Sequence, residues 1–389
     1  MKKVLTLVLA GTLAFSLAAC GTTENTTAKP DTNTGPDTPV VTEPAPEPTP
    51  APAEEGFRIA MITDIGDIDD GSFNQGTWEG VEAFAEANGI TYRYYRPLAV
   101  SDNDYLDTIA LAIDGGAEIV VTPGFLFEPA IYEAQKMFPD VKFILIDGVP
   151  HAGDYATYEI APNTLSVLFD EHESGFLAGY AAVKDGLTEL GFLGGIAVPA
   201  VVRFGIGYLA GAAYAAKEDA VAVDLSRYLY LGNFDASDDN KNRAASWYLL
   251  GTEVIFVAAG AAGFSVAAAA NEVDALMIGV DVDQAGIGDS VLTSAMKALA
   301  VATQDGLQAW LDGTFEGGRT VYMNATNDGV ALPMDTSRFT TFDVAIYDVI
   351  FARIATGELT VPKDYAGLLD FAATNGLDTT TFPDASTVG

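Results

Sequence analysis

The chain has 389 residues, of which 49% are apolar. That is room for about two domains of 100–200 residues with proper cores, and it excludes a wholly disordered protein. Lys and Arg total 19 against 54 Asp and Glu, a net charge of −35, which excludes DNA and RNA, because a nucleic-acid groove needs clustered cations. One Cys and two His exclude a disulfide framework and leave little room for a metal site or a hydrolytic triad.

Lys2 and Lys3 precede an apolar run from Val4 to Ala19, followed by Cys20. A charged start, an apolar stretch of this length and small residues at its end describe a secretory signal over residues 1–20. The run falls short of the roughly 20 residues an untilted spanning helix needs. Leu17-Ala18-Ala19-Cys20 also resembles the bacterial lipobox, which implies acylation of Cys20 and attachment to the outer face of the cell membrane. Residues 21–56 hold eight prolines between Pro30 and Pro52 and lack large apolar side chains. The segment is expected to be a disordered tether.

From Phe57 onward, short β-branched runs ending in Asp, Gly or Pro alternate with helical stretches. Strands are predicted at Arg58–Thr63, Tyr92–Arg96, Ile119–Thr122 and Lys142–Ile146, and helices at Ser72–Asn88, Asn103–Asp114 and Pro129–Met137. A second series follows the helix His172–Lys184, with strands at Leu190–Gly194, Ser226–Leu231, Glu253–Val257 and Ala275–Val280. Val291–Leu311 is predicted as a helix. Alternation of this kind argues for βαβ units and parallel sheets, so two α/β lobes in tandem are expected with a ligand cleft between them.

In open α/β sheets, ligands bind beyond the carboxyl ends of the strands. Here those ends carry Asp64, Gly124-Phe125 and Asp147 in the first series, and Phe234, Ala259-Gly260 and Asp281 in the second. Aromatic faces stack on planar rings and carboxylates accept from paired hydroxyls. A ring bearing a polyol fits both; a phosphorylated ligand does not, for want of a cradle.

The run from Asp64 to Gly80, Asp-Ile-Gly-Asp-Ile-Asp-Asp-Gly-Ser-Phe-Asn-Gln-Gly-Thr-Trp-Glu-Gly, strongly resembles the N-terminal signature of the basic membrane protein family of ABC-transporter solute-binding lipoproteins. Further blocks match in order: Glu173–Gly179, Gly194–Pro199, Gly232–Asp235, Gly279–Gln284 and Val291–Lys297. The resemblance implies the type I periplasmic binding protein fold, two Rossmann-like lobes joined by three crossings. The expected division is 57–165 with about 285–330 as the N-terminal lobe, and 166–284 with about 331–389 as the C-terminal lobe. It implies binding rather than catalysis: a monomer that captures a nucleoside, purine favoured, and hands it to a permease driven by an ATPase, with no cofactor.

The resemblance also implies roles. Asp64 matches a ligand-contacting carboxylate, although a turn carboxylate is the plainer reading. Phe73 matches the aromatic stacked on one face of the base, although a Phe at a helix start is usually core. Asn74 beside it can donate and accept at a heterocycle edge. Phe234 is placed to close the sandwich from the second lobe and is favoured over Phe204, which lies inside the helix after Pro199. Gly260 ends a strand where a missing side chain would admit backbone amides. Asp281 matches the carboxylate that holds sugar hydroxyls, and Lys297 the lysine of the family's Leu-Thr-Ser-x-x-Lys block. The run Gly260–Ser265 departs from the family's Gly-Gly-Thr-Gly-Asn-Gly: polar residues are gone and Phe264 has entered. The expectation is altered ribose-side contacts.

Rival constellations are weak. Asp67, Asp69 and Asp70 lack the Glu a calcium loop needs at its twelfth position. Gly205–Gly211 is one residue too long for a dinucleotide fingerprint. The alternatives kept are a binding or sensory protein for another ring-containing small molecule and a cell-surface α/β enzyme.

Overall fold

The computed structural model describes residues 56–389. The signal segment, Cys20 and the tether up to residue 55 lie outside the described residues. Among those described, no helix is long and apolar enough to cross a membrane.

The first series of elements runs β1 (Ile59–Ile62), α1 (Phe73–Asn88), β2 (Tyr92–Tyr95), α2 (Asp102–Asp114), β3 (Ile119–Pro123), α3 (Glu128–Met137), β4 (Lys142–Ile146) and β5 (Thr164–Phe169). The second runs α4 (Glu171–Lys184), β6 (Glu189–Gly194), α5 (Pro199–Asp219), β7 (Asp224–Tyr230), α6 (Asp238–Leu249), β8 (Val254–Ala258), α7 (Ala262–Asn271), β9 (Leu276–Asp281) and β10 (Val291–Lys297). The chain then returns to the first lobe with α8 (Leu299–Leu311) and β11 (Arg319–Met323), and ends in the second with β12 (Val330–Ala331), α9 (Val344–Ala355), α10 (Tyr365–Asn375) and α11 (Ala385–Val388).

Two six-stranded sheets result, in the orders β11-β5-β4-β3-β1-β2 and β12-β10-β9-β8-β6-β7. Every pairing is parallel except β10 with β12. β1, β3 and β8 are buried at every position, which is why they read as apolar runs, broken only by Thr122 in β3: helices cover both faces of each sheet. In the first lobe, α1 and α8 supply Val81, Phe84, Leu299 and Leu307 to one face, while α2 and α3 supply Ile109 and Ile131 to the other. This is the two-lobed type I binding-protein architecture.

α4 and α5 pack with their backbones nearly touching. A Cβ at Gly175 or Gly179 would lie 2.3 or 2.2 Å from the Phe204 or Tyr208 carbonyl oxygen. One at Gly207 or Gly211 would lie 2.0 Å from the His172 or Phe176 oxygen. The glycine spacing of the Gly205–Gly211 run therefore serves helix contact.

The sheets correct two expectations. Val291–Lys297 is not the start of a helix: it pairs in parallel with β9 as β10, and α8 begins only after Ala298, whose ψ of 55° is not helical. The lobe boundaries move with it. Residues 166–169 finish β5 in the first sheet, and 285–297 stay with the second, so the returning segment starts near 298 rather than 285. The short link from Val282 to Ser290, with one 3-10 turn at Ala285–Ile287, suffices because it never leaves the second lobe. The chain crosses between lobes three times, after β5, β10 and β11. The crossings lie side by side: the Asp170 amide donates to the Met323 carbonyl at 3.0 Å, and the Ala298 amide to the Gly329 carbonyl at 2.9 Å.

Candidate functional site

The carboxyl ends of both sheets border one cleft of about 860 Å³, within the range of small-molecule sites. Asp64, Phe73, Asn74, Phe234, Gly260, Asp281 and Lys297 all line it, and so does Phe204. The choice between Phe234 and Phe204 therefore falls away as a question of position.

Asp64 follows β1. Its Oδ1 accepts from the Gly66 amide at 3.1 Å and from Asn74 Nδ2 at 3.0 Å. Its Oδ2 makes no hydrogen bond among the described residues and borders Gly124, where a Cβ would lie only 2.7 Å away. Burial pushes the Asp64 carboxyl above its ordinary range. Asn74 spends its amide protons on Asp64 and, at 3.1 Å, on Asp70 Oδ2, leaving its buried Oδ1 without a partner. The donors expected of Asn74 are thus spent within the protein, and its remaining acceptor is buried.

Asp70 is a structural carboxylate. It accepts the backbone amides of Ser72, Asn74 and Gln75 at 2.8, 3.0 and 3.1 Å, satisfying donors at the start of α1. Asp67 is engaged by Arg96 at 2.7 Å. Among the described residues no cluster of potential ligands is placed to hold a metal ion.

The deepest part of the cleft is ionic. Asp147 ends β4 in the first lobe and Asp281 ends β9 in the second; both hold left-handed backbone, φ 57° and 68°, a strain that Asp tolerates better than most residues. Lys297, the last residue of β10, bridges them. Its Nζ lies 2.5 Å from Asp147 Oδ2 and 3.2 Å from Asp281 Oδ1. The same ammonium sits 4.5 Å from the Phe73 ring centre, 5.4 Å from Phe169 and 5.5 Å from Phe204, within cation–π range. Asp147 Oδ1 is buried and unpartnered.

Behind this network, Arg203 of α5 donates through Nε to Glu171 Oε2 at 2.5 Å. Glu171 is wholly buried at the start of α4. Its burial opposes ionisation, but Arg203 and Lys297 outweigh it and hold the carboxyl below its usual value. Sequence reasoning did not single out Asp147, Arg203 or Glu171 as site residues. Asp147 at least stood at a strand end, whereas the Arg203–Glu171 pair spans two helices with no local spacing to betray it.

Phe234 enters from the loop after β7. A Cβ at Gly195 would lie 2.2 Å from Phe234 Cε1, and one at Gly260 3.4 Å from Phe234 Cβ. Gly195 makes the seat for this ring, whereas a Cβ at Gly260 would meet Phe234 at ordinary contact distance; what favours glycine at 260 is its left-handed backbone, φ 53°. The departure at Gly260–Ser265 also reads differently in three dimensions. Ala259, Gly260 and Ala261 line the cleft but Phe264 does not; its ring tip rests against Gly71 of the first lobe.

Eight carboxylates line the cleft against three cations, Arg96, Arg203 and Lys297, and each cation already has a carboxylate partner. The site is acidic. Burial pushes Asp70 and Asp147 up to about 6, Lys297 opposing the shift at Asp147, and pushes Glu173 beside the third crossing up to about 7. A carboxyl whose folded value is raised binds more protons folded than unfolded between the two values, so stability falls as pH rises through that window. The protein is expected to be more stable at pH 5 than at pH 8. Denaturant midpoints across that range check this, and a midpoint rising with pH contradicts it.

The family model for PnrA-like ABC transporter substrate-binding proteins, Bmp, matches residues 57–363. The ABC transporter nucleoside-binding protein BmpA of Lactococcus lactis is 32% identical over 79% of this chain and 89% of its own length. Basic membrane protein A of Borreliella burgdorferi is 30% identical over 79% and 88%. A solved ABC-transporter solute-binding protein from Aeropyrum pernix superposes with a TM-score of 0.69 at 21% identity, covering 83% of this chain and all of its own. At that identity the likeness speaks for the fold alone. With a family model matched across nearly the whole two-lobed body, the chain belongs to the Bmp family of ABC transporter substrate-binding proteins.

Proposed function

We propose that this substrate-binding protein captures a nucleoside, purine favoured, between its lobes, and that Cys20 carries a lipid holding it at the outer face of the cell membrane. The observation that carries the ligand class is the pairing of aromatics from opposite lobes, Phe73 and Phe234, in one cleft with the Asp147–Lys297–Asp281 network. Aromatic faces suit a planar base, and the larger π-face of a purine gains more from two of them. Carboxylates beside a lysine suit a diol. The name of the Lactococcus lactis relative supports the same class.

The base edge has a definite sense. Asp64 lines the cleft with its Oδ2 an unengaged acceptor, so the edge that meets it must donate. Guanosine presents ring N–H and amino protons together, and is expected to bind more tightly than inosine, which lacks the amino group. Closure by contacts that exist only when both lobes touch the ligand would then present the loaded protein to the permease.

Calorimetric titration with guanosine, adenosine, inosine, cytidine, uridine and ribose tests the reading, after unfolding and refolding to strip co-purified ligand. Micromolar or tighter binding of a purine nucleoside, with guanosine first, is expected. Guanosine 5′-monophosphate should bind at least about 100-fold more weakly, because a phosphate would meet carboxylates and no unpaired cation. No heat with any nucleoside, or equal binding of nucleoside and nucleotide, removes the proposal.

A further inference from the structure

Contacts between the lobes extend beyond the groups that line the cleft. The turn before α1, Gly71-Ser72, belongs to the first lobe, yet three second-lobe side chains hold it. Gln284, just past β9, donates from Nε2 to the Gly71 carbonyl at 2.8 Å. Ser72 Oγ donates to Asp281 Oδ2 at 2.6 Å. Phe264, in the first turn of α7, lies so close to Gly71 that a Cβ there would sit 2.6 Å from its Cζ.

We propose that Phe264 and Gln284 form a latch that grips the Gly71-Ser72 turn and sets the lifetime of the closed form. Neither residue lines the cleft, so the latch acts through lobe position rather than through ligand contact.

Each part is built for the role. Gln284 is 3% exposed, and its Oε1 accepts from the Val280 amide at 3.2 Å while its backbone N–H donates to Ser294 Oγ at 3.0 Å. Its side chain is thus fixed to β9 and its backbone to β10, with Nε2 directed across the lobes. Gly71 holds φ 67°, a conformation that favours glycine, and its missing side chain is what lets Phe264 close on it. Phe264 itself is 39% exposed, so its ring can be removed without opening a core cavity. Ser72 joins the latch to the site, since its acceptor Asp281 is the carboxylate on Lys297. The replacement of polar residues in the Gly260–Ser265 run thus trades polarity for an apolar grip between lobes.

Hydrogen exchange of the full-length protein, followed by mass spectrometry without added ligand, tests this independently of what the cleft binds. Phe264→Ala removes a half-exposed ring. Gln284→Glu keeps shape and the contact with the Val280 amide but sets an acceptor against the Gly71 carbonyl. Each is expected to speed exchange about tenfold, or about 1.4 kcal/mol, in the two facing segments, 71–76 and 262–266. Amides of β1 and β8, deep in the separate sheets, should keep their wild-type rates. Unchanged exchange in the facing segments of both variants overturns the latch. So does a rise of equal size in both sheets, which would make these residues ordinary supports of the fold.

Discussion

Lys297→Met is expected to abolish measurable nucleoside binding and to destabilise the protein by roughly 3–5 kcal/mol at pH 8. Lys297 is 4% exposed, and its ammonium stands between Asp147 and Asp281. Methionine would refill the volume beside Phe73, Phe169 and Phe204 but leave two buried carboxylates facing each other with no cation between them. Even with Lys297 present, burial pushes Asp147 up to about 6; without it the carboxyl must rise further. The sign of the pH dependence follows: protonation relieves the variant, so its deficit should shrink between pH 8 and pH 5. Adding Asp147→Asn to Lys297→Met should restore much of the stability at pH 8 without restoring binding, because the lysine's donor is still missing. Denaturant unfolding of the three proteins at both pH values, with calorimetry against guanosine, gives the result. A Lys297→Met protein as stable as wild type at pH 8 would show that the network is not held by its cation.

What could be read from the chain follows from how local each signal is. β1, β3, β4 and β8 announce themselves because strands buried on both faces must be apolar throughout, and the Asp or Gly after each marks the ligand side. Asp64 and Asp281 can therefore be placed near one cleft from the pattern alone, whereas Phe73, at a helix start, is placed only by the family resemblance. β10 could not. Val-Leu-Thr-Ser-Ala-Met-Lys suits a helix as well as a strand, and only its pairing with β9 decides the matter. β11 sits at an edge with Arg319 and Tyr322 exposed, so its pattern is too polar to read as a sheet member. The same distinction governs the site. Strand-end residues were legible, whereas the Arg203–Glu171 pair and the grip of Phe264 on Gly71 depend on which helix or lobe lies opposite. Phe264 shows the limit most clearly: its identity stands out in the sequence as a departure, but its direction, away from the cleft, is a tertiary fact.

Gly195→Ala is expected to weaken purine nucleoside binding nearly as much as Phe234→Ala does, although Gly195 bears no side chain to touch a ligand. The argument is steric. The new Cβ would lie 2.2 Å from Phe234 Cε1 and 3.1 Å from the Asn233 carbonyl oxygen. No contact at 2.2 Å survives, and the ring is the part that can rotate away, so the stacking face leaves its place. One aromatic–base stack is worth about 1–3 kcal/mol, so either substitution should cost between about 5-fold and about 150-fold in affinity. The double variant Gly195→Ala/Phe234→Ala should bind no more weakly than Phe234→Ala alone, because both act on one ring and their effects cannot add. Phe73→Ala removes the other proposed stacking ring, from the opposite lobe, and its effect should add to either. If Gly195→Ala and Phe234→Ala instead weaken binding additively, the glycine contacts the ligand by some other route. If Gly195→Ala binds like wild type, the ring tolerates displacement, and Phe234 is part of the cleft wall rather than a stacking partner.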